Sequence, residues 1–131
     1  MVVGNWGSDI VFRVSERQVL TFQNLNRTVG SEWATHSRIG RKDQSEFLRP
    51  SLQKITFTVK LDATLGVKPR AMLDRLTNLV ERGAVNTLVI GGKRVGRYRW
   101  KIDEVSEAWD TVLTRGELLS ATVNLTMQEY L

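Results

Sequence analysis

Residues 86–105, NTLVIGGKRVGRYRWKIDEV, decide the fold class, because they read as two β-strands folded about a glycine pair. Leu88-Val89-Ile90 is apolar and largely β-branched, Gly91-Gly92 offers the φ > 0 conformations of a tight hairpin turn, and a second run resumes at Arg94. That run alternates. Gly96, Tyr98, Trp100 and Ile102 fall on one side and Arg97, Arg99, Lys101 and Asp103 on the other, as successive strand side chains must. One face is apolar and aromatic, the other basic.

Outward from this hairpin, the flanking segments repeat the pattern. Pro69 suits the first turn of a helix, and Met72, Leu73, Leu76, Leu79 and Val80 recur at three- and four-residue steps, so a helix is expected over about 69–82 with Gly83 as its stop. Lys54 to Leu61, KITFTVKL, alternates cleanly, with Ile55, Phe57, Val59 and Leu61 inside. Earlier strand candidates are Ile10 to Val14, Val19 to Leu25 and Glu32 to His36. Residues 37–46, SRIGRKDQSE, form an extended polar loop, and residues 1–8, with Trp6 as a single anchor, an N-terminal arm. On the C-terminal side, Trp109 to Leu113 is a short strand candidate, Arg115-Gly116 a turn, and Leu119 to Met127 a long closing strand. About seven strands and one helix, joined mostly by turns, make an α+β domain: a rolled antiparallel β-sheet or small β-barrel with one flanking helix. Residues 1–131 are expected to form a single domain, since no linker or repeat divides them.

Composition narrows the chemistry. The chain has no cysteine, which removes disulfides, thiolate nucleophiles and Cys-based metal sites, and His36 is its only imidazole. No catalytic triad can be assembled around one histidine without a nucleophile elbow, and no metal-ligand spacing or cofactor motif is present. IGGKRVG lacks the Lys-Ser/Thr and following helix of a phosphate loop. No apolar run approaches the ~20 residues of a membrane span, so no membrane partner is expected. Nineteen Lys and Arg against fourteen Asp and Glu give a net charge of +5 and allow an acidic protein surface or nucleic acid as partner. Basic density is highest at Arg38, Arg41 and Lys42 and at Arg97, Arg99 and Lys101, the candidate interaction residues. Alternation sets Tyr98 and Trp100 opposite those arginines, whereas a single-strand binder stacks bases and holds phosphates in one groove. A solvated charged face, a protein-docking stripe and a small basic nucleic-acid-binding β domain are therefore the readings that the residues leave open.

The order of features resembles one family. Val11-Phe12, Trp33-Ala34, the polar segment ending Gln44-Ser45-Glu46-Phe47, the strand Ile55 to Leu61, the Pro69 to Gly83 helix, Leu88-Val89-Ile90, the run Gly96-Arg97-Tyr98-Arg99-Trp100-Lys101-Ile102 and the closing Glu129-Tyr130 are similar to tail protein U (GpU) of contractile-tailed bacteriophages and phage-tail-like bacteriocins. The chain departs at Leu48-Arg49-Pro50-Ser51, where a glycine-rich turn is expected, and its start is longer than usual. The resemblance implies a tail-tube-like fold and a structural virion protein, without enzymatic activity or cofactor. It further implies that copies made in the bacterial host cytoplasm assemble as a ring, usually a hexamer, at an end of the tail tube or in the baseplate hub region. Partners would be the chain itself and tube, sheath or hub proteins, with no specific nucleic-acid binding although DNA can pass through the ring.

Overall fold

The computed structural model describes residues 1–131. In chain order the strands are β1 (Val2–Trp6), β2 (Ile10–Val14), β3 (Val19–Leu20), β4 (Phe22–Thr28), β5 (Ser31–His36), β6 (Gln44–Pro50) and β7 (Lys54–Asp62), followed by a short 3-10 turn and helix α1 (Pro69–Glu81). After the helix come β8 (Val85–Asn86), β9 (Leu88–Ile90), β10 (Lys93–Arg94), β11 (Arg99–Val112) and β12 (Leu118–Tyr130). Every pairing is antiparallel. One five-stranded sheet runs β10-β9-β1-β2-β3, the other β4-β7-β12-β11-β8, and β5-β6 stands apart as a two-stranded ribbon.

The two large sheets are joined at two corners by a single residue each. Thr21 carries the chain from β3 into β4, and Thr87 from β8 into β9. Strands that switch sheets in this way turn a flat sheet into a rolled one. Of the two shapes the sequence allowed, the chain adopts the roll, since each sheet keeps two terminal strands rather than closing on itself. The two sheets, α1 and Val67 enclose one core of twenty buried apolar residues. Ile55, Phe57, Val59 and Leu61 enter from β7, and Ala121, Val123, Leu125 and Met127 from β12, as alternation requires. Phe12, Phe22 and Phe57 meet edge-on with centroids 5.2, 5.8 and 6.0 Å apart and so tie β2 to β4 and β7. On the other side of the core, the Trp6 indole donates to the Trp100 carbonyl at 3.0 Å and the Trp100 indole to the Val95 carbonyl at 2.7 Å.

Helix α1 buries Pro69, Leu73, Leu76 and Leu79 against β7, β11 and β12. It ends as expected at Gly83, where Gly83 N–H reaches the Val80 carbonyl and Ala84 N–H the Leu79 carbonyl, the pair of bonds that satisfies the last orphan carbonyls.

Four expectations are corrected. The first residues are not an arm: β1 is the middle strand of its sheet, bonded to β2 and β9, and Trp6 is fully buried. The hairpin of residues 86–105 is real but short. Gly91 and Gly92 take φ of 63° and 78° and return β10 along β9, yet Gly96 at φ 74° breaks the second run, and Arg99 onward crosses into the other sheet. Trp109 to Leu113 is not a separate strand, because β11 continues unbroken to Val112 and pairs with β12 through three irregularities. The polar loop is narrowed to residues 37–43, since Gln44, Ser45 and Glu46 pair with His36, Thr35 and Ala34.

One carboxylate is tuned by the turn after β7. Asp62 accepts from the Thr64 hydroxyl at 2.7 Å and the Thr64 N–H at 2.9 Å. The Thr64 hydroxyl first, then its N–H, with Lys60 assisting, hold this carboxyl below its ordinary value of 3.8. A folded-state pKa below the unfolded one adds stability above the unfolded pKa that disappears as pH falls through the folded one. Asp62→Asn is therefore expected to be less stable than the parent by a constant margin from pH 7 to about 5 and by a shrinking margin below about 4. Urea titrations across that range measure it.

Candidate assembly surface

The ribbon β5-β6 is the chain's projecting element. Of residues 31–50 only Ala34 is even half-buried. Its sequence explains the shape: residues 37–43, SRIGRKD, cannot contribute to a core, so the two strands pair with each other and with nothing else. Trp33 and Phe47 oppose each other in register and meet at 5.3 Å, both more than half exposed. Leu48 is also exposed, and Ile39 at the tip is wholly so. Polar cross-ties hold the strands together. His36 bonds Glu46 at 2.9 Å and Arg49 pairs with Glu32, while within β5 the Trp33 indole donates to the Ser31 hydroxyl at 2.7 Å. His36 is thus a strut of the ribbon.

The base is anchored where the tip is free. Ser51 N–H bonds the Gly30 carbonyl at 3.0 Å. Gln53 N–H bonds the Glu129 carboxylate at 2.7 Å, and Glu129 N–H returns to the Gln53 carbonyl at 3.0 Å. Arg27 closes the cluster with two bonds to the Gln53 side-chain oxygen, at 3.0 and 2.6 Å. Glu129 is the one buried charged residue of the fold. It clamps the ribbon's base to β12, so the ribbon leaves the body at a fixed place.

The six sequence-derived interaction residues do not form one stripe. Arg38, Arg41 and Lys42 crowd the ribbon tip, where Arg38 donates to the Lys42 carbonyl at 3.1 Å. Arg97 and Arg99 lie near the base, about 20 Å away along six residue pairs. Lys101 is half-buried between Val85 of β8 and Gln128 of β12. Arg97 precedes the strand, so it does not share the face of Arg99 and Lys101. Instead Arg94, Arg97 and Arg99 surround a concavity of about 380 Å³ with Tyr98, Tyr130, Thr87 and Leu131. The Arg99 guanidinium stacks on Tyr130 at 5.4 Å. The expected separation of aromatics from cations thus holds for buried Trp100 but fails for Tyr98, which the Gly96 bend releases to the surface.

Sequence reasoning missed the ribbon's aromatic pair, Arg94 and the Glu129 clamp. Trp33 and Phe47 flanking a polar turn were the available signal for the first. The last depends on a contact between residues 76 positions apart and leaves no local pattern. No group of three or more His, Cys, Asp or Glu side chains converges closely enough to hold a metal. No helix is long and apolar enough to cross a membrane.

The Phage P2 GpU family model matches residues 8–131. The chain belongs to the phage tail protein U family. Membership makes it a structural protein of the virion tail. No curated protein matches it. Among solved structures, a chain in the tail of an empty GTA particle of C6 symmetry is similar over 83% of this chain and 77% of that one, at 15% identity and a TM-score of 0.47. The match begins just after β1, so the strand that the sequence alone suggested as an arm lies outside the matched region and yet completes the first sheet.

Proposed function

We propose that this tail protein acts by assembly, closing into a ring, six copies in the family's usual form, at an end of the tail tube or in the baseplate hub region. The reading is carried by the ribbon: a rigidly based, two-stranded projection that exposes Trp33, Phe47, Leu48 and Ile39. An isolated two-stranded ribbon is marginal in water, and an aromatic pair exposed on it together with further apolar residues fits a surface that a partner covers. Neighbouring subunits and tube, sheath or hub proteins supply that cover. Contacts between unlike surfaces close into a ring when the rotation between copies closes. Arg38, Arg41, Lys42, Arg97, Arg99 and Lys101 steer and register acidic partners on that surface.

Replacing Arg41, Arg97 and Arg99 by Glu is expected to abolish ring formation and tail assembly while leaving the far-UV circular dichroism spectrum unchanged. Negative-stain imaging of purified protein, alone and with tail tubes, reads the result, and intact rings in the triple variant would remove these residues from the contact. The concavity of Arg94, Arg97, Arg99, Tyr98 and Tyr130 favours one other reading, a nucleic-acid-binding β domain, because cations and aromatics do share it. Fluorescence anisotropy with labelled single-stranded DNA separates the two. The assembly reading expects no binding at micromolar protein, and a strongly salt-dependent affinity lost on reversing these arginines overturns it.

A further inference from the structure

Strand β11 presents the opposite charge to the ribbon tip on an edge that no strand covers beyond Lys101. Its inner edge pairs with β12 from Arg99 to Val112, but on its outer edge β8 pairs only with Trp100 and Lys101. From Asp103 to Val112 the outer N–H and C=O groups therefore have no strand partner. An open edge of this length is a template for strand addition unless something blocks it. The same ten residues, DEVSEAWDTV, carry Asp103, Glu104, Glu107 and Asp110 and no Lys or Arg, four of the chain's fourteen carboxylates. None of the four is in an ion pair. Their bonds are to neutral groups: Asp110 accepts from the Thr122 hydroxyl at 2.6 Å and Glu107 from the Trp109 indole at 3.1 Å. The only cation stacked on the segment is Arg70, over the Trp109 ring at 5.0 Å. At its far end Trp109, Val112 and Leu113 are exposed.

We infer that the ribbon of one copy docks along β11 of the next, with Arg38, Arg41 and Lys42 against Asp103, Glu104 and Glu107. The inference rests on the assembly reading and names the acidic surface for the tip. Both surfaces are exposed on every copy and carry opposite charge, which fits a second copy as the occupant. The spacing also fits. Phe47 follows Lys42 by five residue steps, about 16 Å if extended, and the same number of steps carries β11 from Glu104 to Trp109. With the tip at the acidic end, Trp33 and Phe47 then fall beside Trp109 and Val112, so charge and apolar matching agree on one direction. Ribbon and edge are different surfaces, so the contact is heterologous and can be repeated around a ring.

The test is a charge swap in the full-length chain. Arg38→Glu, Arg41→Glu and Lys42→Glu together, or Asp103→Lys, Glu104→Lys and Glu107→Lys together, are each expected to weaken self-association about 30-fold in sedimentation velocity at low salt. Combining all six is expected to restore it to within about threefold. Thermal melts verify that each variant folds. Since the chain lacks cysteine, mixing Lys42→Cys copies with Glu104→Cys copies and a bifunctional maleimide gives a second readout: a cross-linked dimer, absent when Glu16→Cys replaces Glu104→Cys. Rings that survive reversal on β11, or a swap that fails to restore them, overturn this contact and leave the ring reading standing. Absence of both oligomer and cross-link up to millimolar protein overturns the contact, and if added tail tubes also nucleate no ring, the assembly reading falls separately.

Discussion

Trp100→Ala is expected to cost about 4 kcal/mol, roughly a quarter or more of the stability of a domain this size, and to leave a protein that unfolds at low urea. Two effects combine. The indole is fully buried between β11 and the residues that lead into it, where it fills the space beneath Gly96, and its removal leaves a cavity that the surrounding strands cannot close. It also donates to the Val95 carbonyl at 2.7 Å, and that bond pins the bend at which the chain leaves one sheet for the other. The neighbouring bond from Trp6 to the Trp100 carbonyl survives the substitution, because its acceptor is backbone. Trp100→Phe separates the two effects. It keeps most of the volume and loses the N–H, so a cost of about 1–2 kcal/mol is expected. A loss below about 1 kcal/mol for Trp100→Ala, with an unchanged slope on denaturant, would show that the bend is held by something else.

That bend is also where sequence and structure part. Alternation is a local rule, so it located β7, β12 and the apolar side of α1 correctly: each buries residues two or three to four apart within one element. The same rule extended through Gly96 placed Arg97 and Tyr98 on a strand that does not begin until Arg99. A glycine at φ 74° ends the period, and the residues before it pair in one sheet while those after it pair in another. The N-terminal strand was hidden for a related reason. Val2, Val3, Gly4, Asn5 and Trp6 alternate poorly, and they form a strand because β2 and β9 flank them on both sides, a fact fixed by tertiary pairing. The basic clusters at residues 38–42 and 97–101 were legible as sequence, whereas their separation by the length of the ribbon was not. Charge density along a chain carries no information about which turns bring it together.

Removing the ribbon is expected to abolish assembly and spare the fold. Gly30 and Ser51 already face each other through a 3.0 Å backbone bond, so an Asn-Gly turn in place of residues 31–50 closes the gap with little strain. None of the twenty core residues lies within the deleted segment. The Arg27–Gln53–Glu129 cluster that holds the base lies outside it as well. The melting temperature is therefore expected to move by no more than a few degrees, and solubility to rise as Trp33, Phe47, Leu48 and Ile39 are lost. Assembly has no such reserve. The deletion removes the apolar residues and the three tip cations together, and a contact built on both is expected to weaken by at least 100-fold. Calorimetry and mass photometry on the same preparation read the two halves of the prediction. Unchanged rings would assign assembly to the sheet edges alone, whereas a collapsed melting temperature would make the ribbon part of the folding unit instead of a limb extended from it.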